Sequence, residues 1–213
     1  MAGLRAFVRE FLRNPQHTGG LVPSSRQLAA EVVLPIPTTG APVVVELGPG
    51  TGALTGAIEQ RLAGRGHQLA VELNPRFAAL VRDRFPTVEV INDNAAKLPE
   101  LVRARGLLHA DVIVSGLPWA SFPTPLQRTL LGAVTDTLAP DGAFTTFAYL
   151  HALGLPPARR FRAQLADAFD EVVVGRTVWS NLPPALVYFA RRPLHPRAAA
   201  PVSAHGVRLD RAG

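Results

Sequence analysis

The sequence predicts an α/β protein built on a mostly parallel sheet, and two features of the chain predict it. From residue 43 onward, short apolar stretches rich in β-branched residues alternate with longer stretches of helical pattern. Short apolar strands separated by helices are typical of a parallel sheet that helices cover on both faces. The last two apolar stretches, in EVVVGRTVWSNLPPALVYFARR, have only Asn-Leu-Pro-Pro between them, which predicts an antiparallel hairpin at the end of the sheet.

Two helices are predicted ahead of the sheet. In LRAFVREFLR, residues 4–13, the apolar side chains share one face and arginines follow its edge; the apolar positions are Leu4, Phe7, Val8, Phe11 and Leu12, and the arginines are Arg5, Arg9 and Arg13. Asn14-Pro15 ends this helix. Ser24 or Ser25 is placed to cap a second helix that continues to about Val33.

Strands and helices then alternate along the chain. Strands are expected near 43–47, 67–72, 88–91, 110–115 and 143–149. The first strand runs into the turn Gly-Pro-Gly-Thr-Gly, and the fourth ends in Gly-Leu-Pro-Trp. Apolar residues at helical spacing predict helices near 53–63, 75–84, 97–105, 124–138 and 157–168.

Length and composition suit one globular domain. The chain has 213 residues, of which 47% are hydrophobic and 18% charged. It has no apolar run long enough to predict a membrane span, and its N-terminus does not resemble a signal peptide. It has no cysteine, which excludes disulfides, cysteine-zinc sites and thiol nucleophiles and fits a cytoplasmic protein.

The net charge of +6 comes from the two ends of the chain. Residues 1–31 and 191–213 have an excess of arginine, whereas the basic and acidic groups between them balance. Basic ends on a neutral body favour an anionic partner, either a membrane or a nucleic acid; the alternative is a basic tail with no partner. We expect an N-terminal amphipathic segment over 1–34, a catalytic domain over 35–192, and a disordered basic tail over 193–213.

VVVELGPGTGAL carries the clearest ligand-binding signal. A strand ends at Glu46-Leu47, and a loop containing Gly48, Gly50, Thr51 and Gly52 then turns into a helix. Glycines let the backbone approach a ligand closely, and the helix N-terminus offers free N–H groups. The loop also satisfies the loose dinucleotide fingerprint G-x-G-x-x-G/A, so the glycines alone do not identify the ligand.

Acidic residues follow or end the first three strands. Glu72 is placed to accept two hydrogen bonds from a ribose diol, which fits NAD and S-adenosylmethionine alike. Two features favour S-adenosylmethionine: Glu46 can orient the loop or meet a methionine ammonium, and Asp93 can accept from an adenine amino group. Asp93-Asn94 could instead cap the next helix.

This ensemble resembles the class I S-adenosylmethionine-dependent methyltransferases, and within them the bacterial phospholipid N-methyltransferases. The likeness covers about residues 4–192. The glycine loop marks only the superfamily, whereas FLRNPQHTGGLVPSSRQLA, SGLPWASFP and NLPPALVYF carry the narrower assignment. The resemblance implies a Rossmann-like, seven-stranded, mostly parallel sheet that ends in an antiparallel hairpin.

The resemblance also implies the site residues. S-adenosylmethionine, with S-adenosylhomocysteine as product, is expected to lie against the loop and the strand ends, at Glu46, Gly48, Gly50, Thr51, Gly52, Glu72, Leu73, Asp93, Asn94 and Ser115. The substrate is expected at Ser24, Gly116, Leu117, Pro118, Trp119 and Asn181, with His17, Tyr149 and Trp119 as catalytic candidates. His151 could pass on a proton, although a surface loop is the more ordinary place for it.

The chain is also distantly similar to rRNA adenine dimethyltransferases, whose Asn-Leu-Pro-aromatic segment aligns with Gly116-Leu117-Pro118-Trp119. An asparagine there would accept a hydrogen bond from the adenine amino group, and the aromatic ring would stack on the base. Gly116 lacks that amide, while Trp119 offers a face to a cation. Trp119 could equally cover the apolar edge of the pocket.

These features predict methyl transfer to the amine of phosphatidylethanolamine, by a monomer bound peripherally to the inner face of the membrane. We expect an anionic membrane surface as partner, no specific nucleic acid, and no metal, because the six histidines lack ligand spacing. The alternatives are methylation of a small molecule or of rRNA adenine, or a non-catalytic S-adenosylmethionine-binding module.

Overall fold

The computed structural model describes residues 24–194. The helix predicted over residues 4–13, His17 and the predicted tail beyond residue 194 lie outside the described residues. The three-part division of the chain therefore stays a prediction.

Seven strands form one sheet in the order β3-β2-β1-β4-β5-β7-β6. All neighbouring strands pair in parallel except those beside β7, which is antiparallel to both β5 and β6. The predicted fold class and the terminal hairpin are confirmed. The strands are β1 Val43–Leu47, β2 His67–Val71, β3 Glu89–Ile91, β4 Ala110–Ser115, β5 Leu138–Tyr149, β6 Phe169–Val178 and β7 Ala185–Pro193.

Six α-helices accompany these strands in the described chain: α1 Arg26–Val32, α2 Ala53–Leu62, α3 Pro75–Arg84, α4 Leu98–Arg103, α5 Thr124–Thr137 and α6 Pro156–Ala168. Short 3₁₀ turns span Ala95–Lys97, Trp119–Ser121 and Leu150–Ala152. The cap of α1 is Ser25, whose hydroxyl accepts from the amide of Leu28. None of these helices is long and apolar enough to cross a membrane.

Two elements differ from their predicted bounds. The helix predicted over 97–105 is a 3₁₀ turn followed by α4, because Asn94 caps the turn and Pro99 occupies the first turn of the helix. Strand β5 begins at Leu138 rather than near residue 143, directly after α5. Leu138 is fully buried and pairs with Ala110, and a shift in register absorbs the extra residues before Val112.

Two apolar clusters, one on each face, hold the layers together. Helix α1 belongs to one of them, since Leu28 and Val32 pack with Ile58 of α2 and Val187 of β7. The part of the predicted N-terminal segment that forms α1 is therefore packed into the core. The strand order reverses between β1 and β4, and in open α/β sheets the crevice at such a point is where ligands bind.

Candidate active site

The glycine loop lies at the carboxyl end of β1, above this crevice. Gly48 and Gly50 have φ angles of +70° and +54°, a backbone region that residues other than glycine rarely adopt. The amide of Gly48 donates to the carbonyl of Val71 at 2.9 Å, so the sheet ladder continues into the loop. Gly52 caps α2 with its backbone, and the free N–H end of that helix faces the loop.

Glu72 supports the loop from the end of β2. Its carboxylate accepts from the amides of Gly50 at 3.1 Å and Asn74 at 2.8 Å. Burial raises the pKa of Glu72, and the backbone hydrogen bonds from Asn74, Gly50 and Leu73 oppose that rise. The side-chain amide of Asn92 donates to the backbone carbonyls of Glu72 and Leu73, which fixes the end of β2 to the end of β3.

Glu46 is a fully buried carboxylate in β1, next to the loop. Neither of its oxygens has a hydrogen-bond partner within the described chain, nor has the hydroxyl of Thr55 beside it. Burial raises the pKa of Glu46 from 4.5 to about 8, and the negative charge of Glu72 raises it further. Thr55 lowers this pKa, although its contacts with Glu46 fall outside hydrogen-bond geometry. A buried carboxylate without a donor suits a cation or a donor supplied by a ligand.

Asn94 caps the turn after β3, which is the structural alternative that the sequence left open, while the adenine contact of Asp93 stays a prediction. Asn94 caps the 3₁₀ turn, because its side-chain oxygen accepts from the amide of Ala96 at 2.9 Å. Asp93 accepts from the amide of Asn94 and forms an ion pair with Lys97 at 2.9 Å. The backbone bond from Asn94 comes first among the contacts that lower the pKa of Asp93. Asp93 is therefore ionised at neutral pH, next to the end of β3.

Gly116 lies where β4 approaches the glycine loop most closely. Its amide donates to the carbonyl of Leu47 at 2.9 Å. A Cβ atom built on Gly116 would lie 2.8 Å from the carbonyl oxygen of Gly48, and a main-chain atom cannot move aside cheaply. The glycine is thus explained by packing between two loops. The next residues, Leu117 and Pro118, line the cavity described below.

Trp119 packs among aromatic side chains, which favours the structural alternative over a contact between its face and a cationic headgroup. The side chain is only 3% exposed, and its ring stacks on Phe161 with centroids 4.5 Å apart. The edges of Phe122 and Phe144 meet the ring on other sides. The indole N–H donates to the hydroxyl of Ser115 at 3.0 Å. Trp119 is the apolar edge of the pocket, the alternative that the sequence allowed.

Ser115 and Asn181 have structural roles in the described chain, and their predicted ligand contacts stay predictions. Ser115 is fully buried, and its hydroxyl accepts from Trp119 and from the amide of Leu117. Asn181 accepts from the amide of Ser25 at 2.8 Å and donates to the carbonyl of Pro183 at 2.7 Å. Asn181 thereby fastens the start of α1 to the β6–β7 loop.

A cavity of about 330 Å³ opens beside the glycine loop. Residues predicted to touch cofactor or substrate contribute to its walls, namely Ser24, Gly48, Gly50, Thr51, Gly116, Leu117, Pro118, Trp119 and Tyr149. Glu72, Leu73, Asp93 and Asn94 lie at the neighbouring strand ends, outside these walls. The lining thus covers the half of the crevice near β4 and β5.

Three aromatic side chains form one side of the cavity, which we call the aromatic wall: Phe147, Tyr149 and His151. Tyr149 stacks on His151 with centroids 5.7 Å apart and meets Phe147 edge to face at 5.6 Å. Burial raises the pKa of Tyr149, so its phenol keeps its proton at neutral pH. The alternation of β5 could have indicated that Phe147 and Tyr149 share a face.

Gln127 is a further residue that the sequence analysis missed. It is fully buried on α5, and its amide donates to the carbonyl of Trp119 at 2.7 Å and to that of Pro157 at 3.2 Å. It therefore holds together two walls of the cavity. A lone glutamine on a helical pattern gives no sequence signal for such a role. Within residues 24–194, no group of three potential ligands that could hold a metal ion is present.

Comparison with known proteins gives two kinds of likeness. A family model described as a methyltransferase domain matches residues 44–142. The ornithine lipid N-methyltransferase of Singulisphaera acidiphila is 36% identical over 188 residues, which cover 87% of this chain and 94% of that protein. A probable ribosomal RNA small subunit methyltransferase A of Thermococcus onnurineus is 34% identical over 44% of this chain and 31% of its own length.

Solved structures share the fold at low identity. The O-methyltransferase from Bacillus cereus in complex with S-adenosylhomocysteine superposes with a TM-score of 0.61 at 14% identity, covering 87% of this chain and 90% of that one. The glycine loop, the strand-end carboxylates and the donor-free Glu46 fit a ligand that has hydroxyl and ammonium groups. The chain belongs to the class I S-adenosylmethionine-dependent methyltransferases, in the same family as the ornithine lipid N-methyltransferase of Singulisphaera acidiphila.

Proposed function

We propose that this enzyme methylates the primary amine of a membrane-lipid headgroup, with phosphatidylethanolamine as the substrate. The observation that carries the proposal is the likeness to a lipid N-methyltransferase over nearly the whole of both chains. The likeness to the ribosomal RNA methyltransferase covers less than half of this chain, and so supports the rRNA alternative less. The open aromatic wall adds a feature that suits a cationic headgroup.

S-adenosylmethionine supplies a methyl group on a sulfonium. We assign its methionine and ribose portions to Glu46, the loop residues Gly48–Gly52 and Glu72, with Leu73, Asp93 and Asn94 beside the adenine. Glu46 would pair with the ammonium group, which provides the donor that its buried oxygens lack. The loop amides and Glu72 would orient the ribose hydroxyls.

The acceptor amine must lose a proton before it can react. A primary ammonium of pKa ~10 is neutral in about one part in a thousand at pH 7, which costs ~4 kcal/mol. A half-buried site lowers that cost because it disfavours the charged ammonium. Tyr149 keeps its own proton, so its oxygen can accept a hydrogen bond from the amine but does not act as the base. The rings of the wall then stabilise the methylated ammonium product.

Ornithine lipid is the second candidate substrate, because the relative that matches 87% of this chain is an ornithine lipid N-methyltransferase. An ornithine side chain also ends in a primary amine, so the same wall and the same proton loss apply. In the two headgroups a different chemical linkage connects the amine to the lipid. The protein residues that contact this linkage determine which of the two headgroups is methylated.

The test is transfer of a radiolabelled methyl group by the purified full chain. Vesicles containing phosphatidylethanolamine, vesicles containing ornithine lipid, soluble ethanolamine and rRNA are offered separately. Label in phosphatidylethanolamine is the expected result. Label in ornithine lipid alone would transfer the assignment to the second candidate, and label only in rRNA or in the soluble amine would overturn lipid methylation.

A variant tests the aromatic wall in the same assay. Tyr149→Phe keeps the ring and removes the hydroxyl, so kcat should fall by about three- to tenfold, the value of one hydrogen bond. The affinity for S-adenosylhomocysteine should stay unchanged. A loss of that affinity with kcat preserved would show that Tyr149 contacts the cofactor and not the amine.

A further inference from the structure

Three exposed apolar side chains belong to α6 and to the β6–β7 loop. Leu155, at the start of α6, is 50% exposed and also lines the cavity. Trp179 and Leu182, in the β6–β7 loop, are 73% and 78% exposed. Single exposed apolar residues are ordinary, but several at one end of a fold are the mark of a surface that binds an apolar partner.

Hydrogen bonds place the β6–β7 loop at the same edge as the cavity. The amide of Leu150, just after β5, donates to the carbonyl of Pro184 at 2.9 Å. Asn181 accepts from the amide of Ser25, whose neighbour Ser24 lines the cavity. The pairing of Tyr149 with Ala185 puts the end of β5 beside the start of β7. The exposed apolar residues thus belong to the rim of the cavity.

The charges on this rim have one sign. The segments 24–30, 149–162 and 179–185 contain arginines and one histidine but no aspartate or glutamate. Arg26, Arg159 and Arg160 are exposed, and His151 is exposed at the cavity itself. Basic side chains interleaved with exposed apolar ones are the composition of surfaces that bind anionic bilayers. We call the exposed side chains of these three segments the rim surface.

We propose that the rim surface seats directly on an anionic phospholipid bilayer, with Trp179 and Leu182 entering the boundary between headgroups and acyl chains. The arginines then meet lipid phosphates, and the cavity opens into the headgroup layer. This inference rests on the proposed lipid substrate, because it explains how a headgroup reaches the aromatic wall while its acyl chains stay in the membrane. It assigns membrane contact to the folded domain, separately from the helix predicted over residues 4–13.

Tryptophan fluorescence can test this contact directly, because the chain has two tryptophans and Trp119 is buried. The full chain is mixed with vesicles of phosphatidylcholine and phosphatidylglycerol, which contain no primary amine. We expect the emission of Trp179 to shift to the blue and to be quenched when the lipid tails are brominated. Trp179→Phe should bind equally well and lose the quenching. Vesicle binding without quenching by brominated lipid would overturn the proposal.

Variants give the second measurement. Trp179→Ser and Leu182→Ser should each weaken binding to these vesicles by about tenfold, since an apolar side chain no longer leaves water. The matched control is Leu108→Ser, because Leu108 is 83% exposed but precedes β4. It therefore lies at the amino-terminal ends of the parallel strands, away from the cavity at their carboxyl ends. Equal loss in the control, or no loss in the rim variants, would overturn the proposal.

The two proposals fail in distinguishable ways. Affinity for S-adenosylhomocysteine, measured by calorimetry, shows that each rim variant is folded, and it should be unchanged. Vesicle binding is measured without an acceptor, so it does not depend on which amine is methylated. A wild-type chain that binds vesicles through Trp179 but labels no lipid would contradict the proposed function and leave the docking surface intact.

Discussion

Replacing Glu46 by glutamine should remove a large part of the pH dependence of the free energy of unfolding. Glu46 is fully buried, and neither of its oxygens has a hydrogen-bond partner among the described residues. Its folded-state pKa is about 8, against an ordinary value of 4.5. The folded protein therefore holds a proton on this carboxyl that the unfolded chain releases at mildly acidic pH.

The sign and size of the effect follow from these two pKa values. Because the folded-state pKa is raised, the stabilisation is complete below about pH 4.5 and is lost as the pH rises through about 8. Between about pH 5 and pH 8 this one group lowers the free energy of unfolding by roughly 3–4 kcal/mol. For a chain of this length that corresponds to a fall in Tm of roughly 6–16 °C.

The assay is thermal or denaturant unfolding of the wild type and of Glu46→Gln across this pH range, without ligand. Glutamine has nearly the same shape and does not titrate, so the difference between the two proteins should vary with pH while contributions from other groups cancel. Glu100→Gln is the matched control, because Glu100 is an exposed carboxylate on α4. Its curve should run parallel to that of the wild type.

One result would refute the reasoning. If the stabilities of the wild type and Glu46→Gln differ by the same amount at pH 5 and pH 8, the folded-state pKa of this carboxyl is not raised above its value in the unfolded chain. A second readout separates stability from function. Glu46→Gln should bind S-adenosylhomocysteine at least about tenfold more weakly, since glutamine cannot release a proton and become a charged partner when the ligand's ammonium binds.

Three further substitutions test the site. Gly116→Asn should lower the affinity for S-adenosylhomocysteine, measured by calorimetry, by more than about tenfold, because the new Cβ atom meets the carbonyl of Gly48. The control is Gly132→Ala, which should leave this affinity unchanged because a Cβ atom at Gly132 enters open space. Glu72→Ala should lower the same affinity, and unchanged binding would contradict the ribose assignment. Asn181→Ala should destabilise the fold by about 1–3 kcal/mol in denaturant titrations, since it leaves the amide of Ser25 and the carbonyl of Pro183 unpaired.

The sequence was most informative where backbone chemistry decides the structure. Turn and cap residues located β1, β4 and the starts of α2 and α3 to the residue, because glycines, Asn74-Pro75 and alternating apolar patterns act locally. The early start of β5 could not be predicted in this way. It depends on the pairing of Leu138 with Ala110, a contact between distant parts of the chain that no local pattern encodes.

The candidate site divides along the same line. Positions at strand ends, such as Glu46, Glu72 and Gly48, were predictable because parallel strands bring their carboxyl ends to one edge of the sheet. The orientations of Trp119 and Asn181 were not. Trp119 turns inward because Ser115 accepts its N–H and Phe161 stacks on its ring, and both partners are set by tertiary packing.

Packing also explains why a segment related to those of nucleobase methyltransferases need not handle a nucleobase. Gly116 is imposed by the carbonyl of Gly48, and Trp119 is held by its buried neighbours, so both act on the shape of the cavity. We expect the acceptor chemistry to depend instead on the open wall formed by Phe147, Tyr149 and His151. Substitutions in the segment should therefore act mainly through the glycine loop and cofactor affinity, whereas substitutions in the wall should act on which amine is methylated and how fast.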